Sequence, residues 1–193
     1  MKNQSKRPPW VIDNQENIFN SAELPHNDLS VTNDLVYIPA GFKCSQLTKE
    51  AESAEYGAYT FQLNDLSIRF RVAKTTPTKT GQFVTLWKRI ENGPIQPYDI
   101  DDSVDFFVIC VRKDNHFGQF VFSKEILCKH DVISTKGVGG KRAIRVYPPW
   151  EKSLNRQAQK TQSWQIEYFL EISQEKSVDV DRVNKLYSFI VSK

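Results

Sequence analysis

The stretch Val104–Val111, VDFFVICV, decides the fold. Asp105 apart, it is continuously apolar, with no alternation of wet and dry positions. A strand with one face in water alternates, whereas a strand covered on both faces reads as a near-continuous apolar run. The stretch therefore reads as a central, doubly covered strand, with Cys110 as a buried core thiol. A strand of this kind needs a layer above and a layer below. That requirement predicts an α/β fold, a single domain with a central mixed β-sheet flanked by helices.

Downstream of this strand, His116–Phe122 reads as its neighbour and Lys124–Cys128 as a helical turn. Upstream, Tyr59–Leu63 and Ser67–Lys74 read as strands joined by a turn at Asn64 and Asp65. In the second of them Ile68, Phe70 and Val72 face one way, and Arg69, Arg71 and Ala73 the other. Thr75–Gly81 (TTPTKTG) carries a turn signal rich in hydroxyls. Gln82–Lys88 is apolar on both faces and belongs inside the sheet. Arg142–Tyr147 is a further strand, stopped by Pro148 and Pro149. Residues 45–56 are rich in helix formers and predict a helix capped by Ser45. Ser153 is the expected cap of a helix running to about Ile172. Ser177 is the expected cap of a last helix, where Val180, Val183, Tyr187 and Ile190 recur at helical spacing.

The 193 residues are enough for one large domain, and 39% apolar with 25% charged residues is ordinary for a globular chain. Residues 1–14 read as a flexible polar tail and 15–193 as the domain. No apolar run approaches the roughly 20 residues that span a bilayer, and Met1–Trp10 is neither signal peptide nor anchor. Three cysteines (Cys44, Cys110 and Cys128) without CxxC spacing make a disulfide framework unexpected. A reducing, cytoplasmic compartment without membrane partners follows as an expectation.

The net charge of +3 conceals an uneven distribution. Arg69–Arg89 holds six cations and no acid, and Lys136–Trp164 holds seven cations against Glu151 alone. Such segregation points to an anionic partner more than the total does, although it also serves solubility. In the first segment Arg69 and Arg71 project guanidinium forks from one face of a strand, a geometry suited to phosphate or carboxylate. Lys74, the threonines, Lys79 and Gly81 follow, and the segment ends in Trp87, Lys88 and Arg89. Cations, hydroxyls and an aromatic together match a nucleic-acid backbone and a stacked base. The plainer alternative is a solvated hairpin.

The second segment, GVGGKRAIRVYPPW (137–150), leads from a glycine-rich turn through Lys141, Arg142 and Arg145 to Trp150. It is not a Walker A loop, because Thr135 and Arg142 occupy the required glycine and hydroxyl positions. Its glycines are read as a turn that lets Lys141 and Arg142 approach a ligand. On the helix that follows, Gln157, Lys160, Thr161, Trp164 and Tyr168 share a face, which could line a groove beside the basic strands or be half-buried with its amides satisfied. Asp99, Asp101, Asp102 and Asp105 are read as turn formers; a calcium loop fails at Val104 and Cys110. His26, His116 and His130 are isolated, no zinc site or serine or cysteine triad can be assembled, and no metal site is expected.

The stretches RVAKTTPTKTGQFVTLWKR (71–89), DFFVIC with GQFVFSKEIL (105–127), GGKRAIRVYPPW (139–150) and QAQKTQSWQIEYF (157–169), with ESAEYGAYTFQL (52–63) upstream, resemble the MepB family of small bacterial proteins over about residues 35–170. The family has no established activity. The resemblance implies a fold similar to the restriction-endonuclease-like core: a helix, three antiparallel strands, a crossover helix and further strands. The crossover would fall after Lys88, in ENGPIQPYDI, whose two prolines make a poor helix. In active enzymes of that fold, acids and a lysine hold Mg²⁺ and activate water. Glu55, Asp65 and Lys88 are the nearest candidates here, but Arg69 and Arg71 stand where an acid is wanted and Leu86 replaces the acid of the lysine motif.

Three functional readings follow. The first is a domain without cofactor or intact nuclease motif that binds nucleic acid or another polyanion. It would use Arg71, Lys74, Lys79, Lys88, Arg89, Lys141, Arg142, Arg145 and Lys160 in one basic groove lined by Trp87, Trp150, Gln157, Thr161 and Trp164. The second is a divergent Mg²⁺-dependent nuclease. The third is a site for a small anionic, phosphate-bearing metabolite.

Overall fold

The computed structural model describes residues 27–45, 47–152 and 155–188. The expected N-terminal tail, the cap at Ser153 and Ile190 lie outside the described residues.

Eleven strands are arranged as a six-stranded, a three-stranded and a two-stranded sheet among the described residues. The main sheet runs in the order β1 (Thr48–Lys49), β2 (Tyr59–Leu63), β3 (Leu66–Val72), β8 (Phe106–Lys113), β9 (His116–Ser123), β11 (Phe169–Glu171). All its neighbours are antiparallel except β3 and β8, which run parallel with Ile68 opposite Phe106 and Val72 opposite Cys110. The sheet is therefore mixed, as expected.

Strand β8 is central and covered on both faces. Every side chain from Phe106 to Val111 is buried. Phe106, Val108 and Cys110 face one core, shared with Leu29 and Val31 of α1 (Asn27–Thr32) and with Val183, Leu186 and Tyr187 of α4 (Val180–Tyr187). Phe107, Ile109 and Val111 face a second core, shared with Val84, Leu86, Ile144 and Val146. Val84, Ile144 and Val146 belong to a second layer, a sheet with β10 (Ala143–Val146), β5 (Lys79–Thr85) and β4 (Lys74–Thr76) side by side, and Leu86 directly follows β5. Leu127 of α2 (Lys124–Lys129), Val132 and Ile133 complete that core.

A parallel pair needs a crossover connection. Between β3 and β8 it is made by β4, β5 and the hairpin β6 (Trp87–Arg89) with β7 (Ile95–Pro97). No helix forms after Lys88: ENGPIQPYDI supplies the turn and return strand of that hairpin. The helix predicted over residues 45–56 is replaced by β1, a left-handed Ser53 and a single helical turn at Ala54–Tyr56. Local propensity loses there to pairing with β2. The Ser45 hydroxyl accepts from the amide of Gln62 at 2.7 Å instead of capping a helix, and the Glu50 amide donates to the carbonyl of Ala58.

The third long element is also shorter than predicted. Helix α3 (Arg156–Gln165) is capped by Asn155, whose Oδ1 accepts from the amide of Ala158 at 2.9 Å, and a helical turn at Ile166–Tyr168 feeds β11. The edge of β9 captures Phe169–Glu171 as a strand. Asp179 caps α4 in place of Ser177. No helix among the described residues is long and apolar enough to cross a membrane.

Gly118 in β9 is where β11 docks. A Cβ there would lie 2.3 Å from the ring of Phe169 and 2.7 Å from the carbonyl of Leu170. Overpacking of this kind costs about 1–3 kcal/mol. Gly118→Ala is expected to lower the unfolding free energy by that amount in urea titrations.

Candidate nucleic-acid interface

Three open grooves surround the second layer, and they divide the sequence's basic residues among them. The first lies between β10 and α3, has a volume of about 410 Å³ and takes Lys141, Arg145, Gln157, Thr161 and Trp164 into its walls. The second, about 500 Å³, is formed by the β4–β5 hairpin with Lys79, Lys113, Trp150, Glu151 and Lys152. The third, about 530 Å³, is lined by Trp87, Lys88 and Arg89 together with Glu50, Arg69 and Asp102.

The third groove is neutralised from within. Arg71 is 1% exposed and does not offer its fork to solvent. Its guanidinium is held by Glu50 at 2.5 and 3.2 Å, by the carbonyl of Phe70 at 2.8 Å and by the hydroxyl of Tyr98 at 3.4 Å. Arg69 lies beside the same carboxylate at 3.8 Å. Lys88 is paired with Asp102 and Arg89 with Glu52, while Glu91 adds a further acid to the wall. Arg89 also lies over the ring of Trp87, 5.7 Å from its centroid. Nearby, Lys74 is spent on Glu55 at 2.8 Å and lies over Tyr56. Four cations of the first basic segment, Arg71, Lys74, Lys88 and Arg89, are therefore taken up by acids from outside it, and Lys79 stands apart in the second groove.

The groove between β10 and α3 differs: none of the residues lining it is acidic. Lys141 and Arg142 are exposed, and no carboxylate among the described residues pairs with either, nor with Lys160 on α3. Gln165 joins the two walls. Its Nε2 donates to the carbonyl of Arg145 at 3.0 Å and its Oε1 accepts from the amide of Tyr147 at 2.9 Å, so a helix side chain continues the ladder of β10. Gln157 is exposed and Thr161 half-buried, with the threonine hydroxyl returned to the carbonyl of Gln157. Trp164 packs on Phe122 and is stacked by His130 with ring centroids 3.9 Å apart and planes 9° from parallel. Burial, then the neighbouring Lys129, holds His130 below the ordinary imidazole range, favouring the uncharged ring.

Arg145 stands between the first and second grooves. Its Nη1 donates to the carbonyls of Lys79, Thr80 and Gly81 at 3.0–3.4 Å, and its Nη2 to the hydroxyl of Thr76 at 2.7 Å. The guanidinium thus clamps the β4–β5 turn and brings its charge there. Tyr147 uses the missing side chain of Gly81, where a Cβ would lie 2.6 Å from its ring. Gly81 therefore makes room for Tyr147. Trp150 is half-buried against His116, stacked at 5.0 Å, and against the edge of Phe169. Its indole is part of the packing as well as a groove wall.

The glycine-rich turn is also organised from within. Asp99 accepts from the hydroxyl of Ser134 at 2.6 Å and the amide of Gly137 at 2.8 Å, which holds its carboxyl well below the usual range. Gly140 packs on β7: a Cβ there would lie 2.7 Å from Pro97. The turn delivers Lys141 to the groove, and the need for glycine at 140 comes from packing.

The nuclease candidates are dispersed. Glu55 is paired with Lys74, Lys88 with Asp102, and Asp65 is exposed in the β2–β3 turn, outside all three grooves. No group of three potential His, Cys, Asp or Glu ligands occurs among the described residues.

Comparison with known proteins adds the family. The model of the MepB-like family matches residues 50–171. The chain belongs to the MepB-like family. A solved structure described as the crystal structure of MepB is 39% identical in sequence, with a TM-score of 0.65 over 69% of this chain and 89% of that one. Comparison with the curated proteins gives no match. The MepB-like match spans both walls of the β10–α3 groove and ends with β11, while α1 and α4 lie outside it.

Glu50, Tyr98 and Gln165 went unread in the sequence. The alternation of Arg69 and Arg71 was visible, but its acid partner sits in a stretch of helix-like composition. His130 was read as isolated because its partner Trp164 is distant in sequence.

Two expectations follow. Glu50→Gln leaves the buried charge of Arg71 unpaired and should cost about 3 kcal/mol, the lower end for a buried pair because Glu50 keeps some water contact. Adding Arg71→Met should recover much of that loss in urea unfolding, since both charges are then gone. For His130, the unfolded chain binds the proton more readily. Its contribution to stability is complete above pH 6.5 and is lost as the pH falls below it. His130→Gln is expected to flatten the stability profile across that acid range.

Proposed function

We propose that this MepB-like protein binds nucleic acid or another phosphate-bearing polyanion through the groove between β10 and α3. The observation that carries this reading is a groove wall with cations and no acid, in contrast to the third groove, in which every cation has an acid beside it. Lys141, Arg142 and Lys160 supply uncompensated charge at or beside the groove, Arg145 a polarised rim, and Trp164 with His130 an aromatic shelf. Charge and stacking surface together are what a nucleic-acid strand uses.

The restriction-endonuclease-like core that the family resemblance implies has only its mixed sheet in common with this fold. Among the described residues the fold lacks both the first helix, expected over residues 45–56, and the crossover helix; within this reading the sheet serves as a scaffold. Metal-dependent cleavage draws no support, because its candidate carboxylates are dispersed, Glu55 is paired with Lys74, and its candidate lysine, Lys88, is paired with Asp102.

Fluorescence anisotropy with labelled DNA and RNA at several salt concentrations tests the proposal. Each neutralised phosphate contributes about 0.7 to the slope of log K against log salt on a single strand. Three contacts weaken binding roughly twentyfold between 50 and 200 mM salt. Lys141→Glu with Arg142→Glu should abolish binding, whereas Lys88→Ala should leave it within about twofold, as a cation already paired predicts. Unchanged binding by the first variant would sink the assignment. Tight binding of a mononucleotide without affinity for oligonucleotides would move the site to small anionic metabolites.

A further inference from the structure

The β10–α3 groove and the groove of the β4–β5 hairpin are linked through Arg145 and Tyr147. Arg145 and Tyr147 line the first, and both reach the hairpin: Arg145 through three carbonyls and Thr76, Tyr147 by lying on Gly81. The hairpin groove carries Lys79, Lys113 and Lys152 against Glu151, which is paired with Lys113 at 3.0 Å. Lys79 and Lys152 are exposed and have no acid partner among the described residues. The exposed hydroxyls of Thr75 and Thr78 lie beside them in the same groove. On the third side of the layer, the Glu50 groove is closed to a polyanion by Glu52, Glu91 and Asp102. The uncompensated charge therefore forms one path, from Lys141 over the Arg145–Tyr147 wall to Lys79 and Lys152.

We infer that this path is the track of one single-stranded nucleic acid several nucleotides long, with bases at the His130–Trp164 shelf and downstream phosphates on the hairpin lysines. The inference rests on the binding function proposed for the β10–α3 groove and adds to it the strand type, the length and a second contact region. Two consecutive clefts suit a flexible chain. A duplex is a stiff cylinder whose bases are already stacked, and it gains nothing from an aromatic shelf recessed in a cleft. Backbone contacts from lysine and hydroxyl side chains, together with stacking that is tolerant of base identity, describe a binder with little sequence preference.

The test is a length series of labelled oligothymidylates, from two to sixteen nucleotides, titrated into the full chain by anisotropy. Affinity should rise with length until both clefts are filled and then level off. The salt slope should steepen by about 1.4 between the short and the long oligomers, for two added phosphate contacts. Lys79→Glu with Lys152→Glu should lower affinity for the long oligomers at least tenfold and leave the shortest unaffected. Circular dichroism establishes that this variant is folded, and Lys79→Gln with Lys152→Gln should give a smaller loss in the same direction. Short oligomers that bind as tightly as long ones, or long-oligomer binding unchanged in the charge-reversed variant, overturn the inference and leave the first groove standing. Duplex bound more tightly than single strand also overturns it. Absence of binding at every length overturns both readings together.

Discussion

Burial of β8 on both faces is the constraint from which the rest of the architecture follows. A strand with six consecutive apolar side chains, Phe106 to Val111, must be covered twice. Its even positions are covered by helices from the two ends of the described chain, Leu29 and Val31 of α1 with Val183 and Leu186 of α4. Its odd positions are covered by the small sheet. Once Ile144 and Val146 are committed to that core, alternation along β10 sends Ala143, Arg145 and Tyr147 to the outside. Helix α3 comes to rest beside that outer face, tied there by Gln165. The groove is the space left between the two. Its position is thus a consequence of core packing on the opposite face of β10.

Electrostatics then separates two basic segments that look alike in the sequence. Both are rich in cations and poor in acids. Acids from elsewhere in the chain, namely Glu50, Glu52, Glu55 and Asp102, fold onto the first and none pairs with the exposed cations of the second. Where the pair is buried, as for Arg71 and Glu50, desolvation makes the partner obligatory. Where it is exposed, the pair is weak, but it still cancels the local field. The potential of the surface is set by which cations remain without acid partners; around the first and second grooves, among the described residues, these include Lys141, Arg142 and Lys160 with Lys79 and Lys152.

Period-two patterns were readable in the sequence and combinations of distant residues were not. The strands around Asn64 and the polar-aromatic face of α3 follow from side-chain alternation and helical spacing, and the doubly covered β8 from its nearly unbroken apolar run. The pairing of Arg71 with Glu50 does not, because it joins a strand to a segment whose own composition favours helix. The absence of a helix after Lys88 was foreshadowed by Pro94 and Pro97, but that a second sheet would make the crossover was not. Gly81 and Gly140 mark close approaches, as expected of glycine; the approaching atoms are Tyr147 and Pro97. On the site, local spacing groups Lys141 with Arg145 and, separately, Gln157 with Thr161 and Trp164; their meeting across one groove, with His130, required the fold.

Photocrosslinking tests the central claim most directly, because it reports where a bound strand lies. An oligonucleotide substituted with a photoreactive pyrimidine would be bound, irradiated and digested, and the crosslinked peptides sequenced by mass spectrometry. Crosslinks in residues 128–147 and 156–165, the two walls of the acid-free groove, are the result this account predicts. Crosslinks concentrated in residues 50–53, 87–91 and 98–104, around the compensated groove, would contradict it.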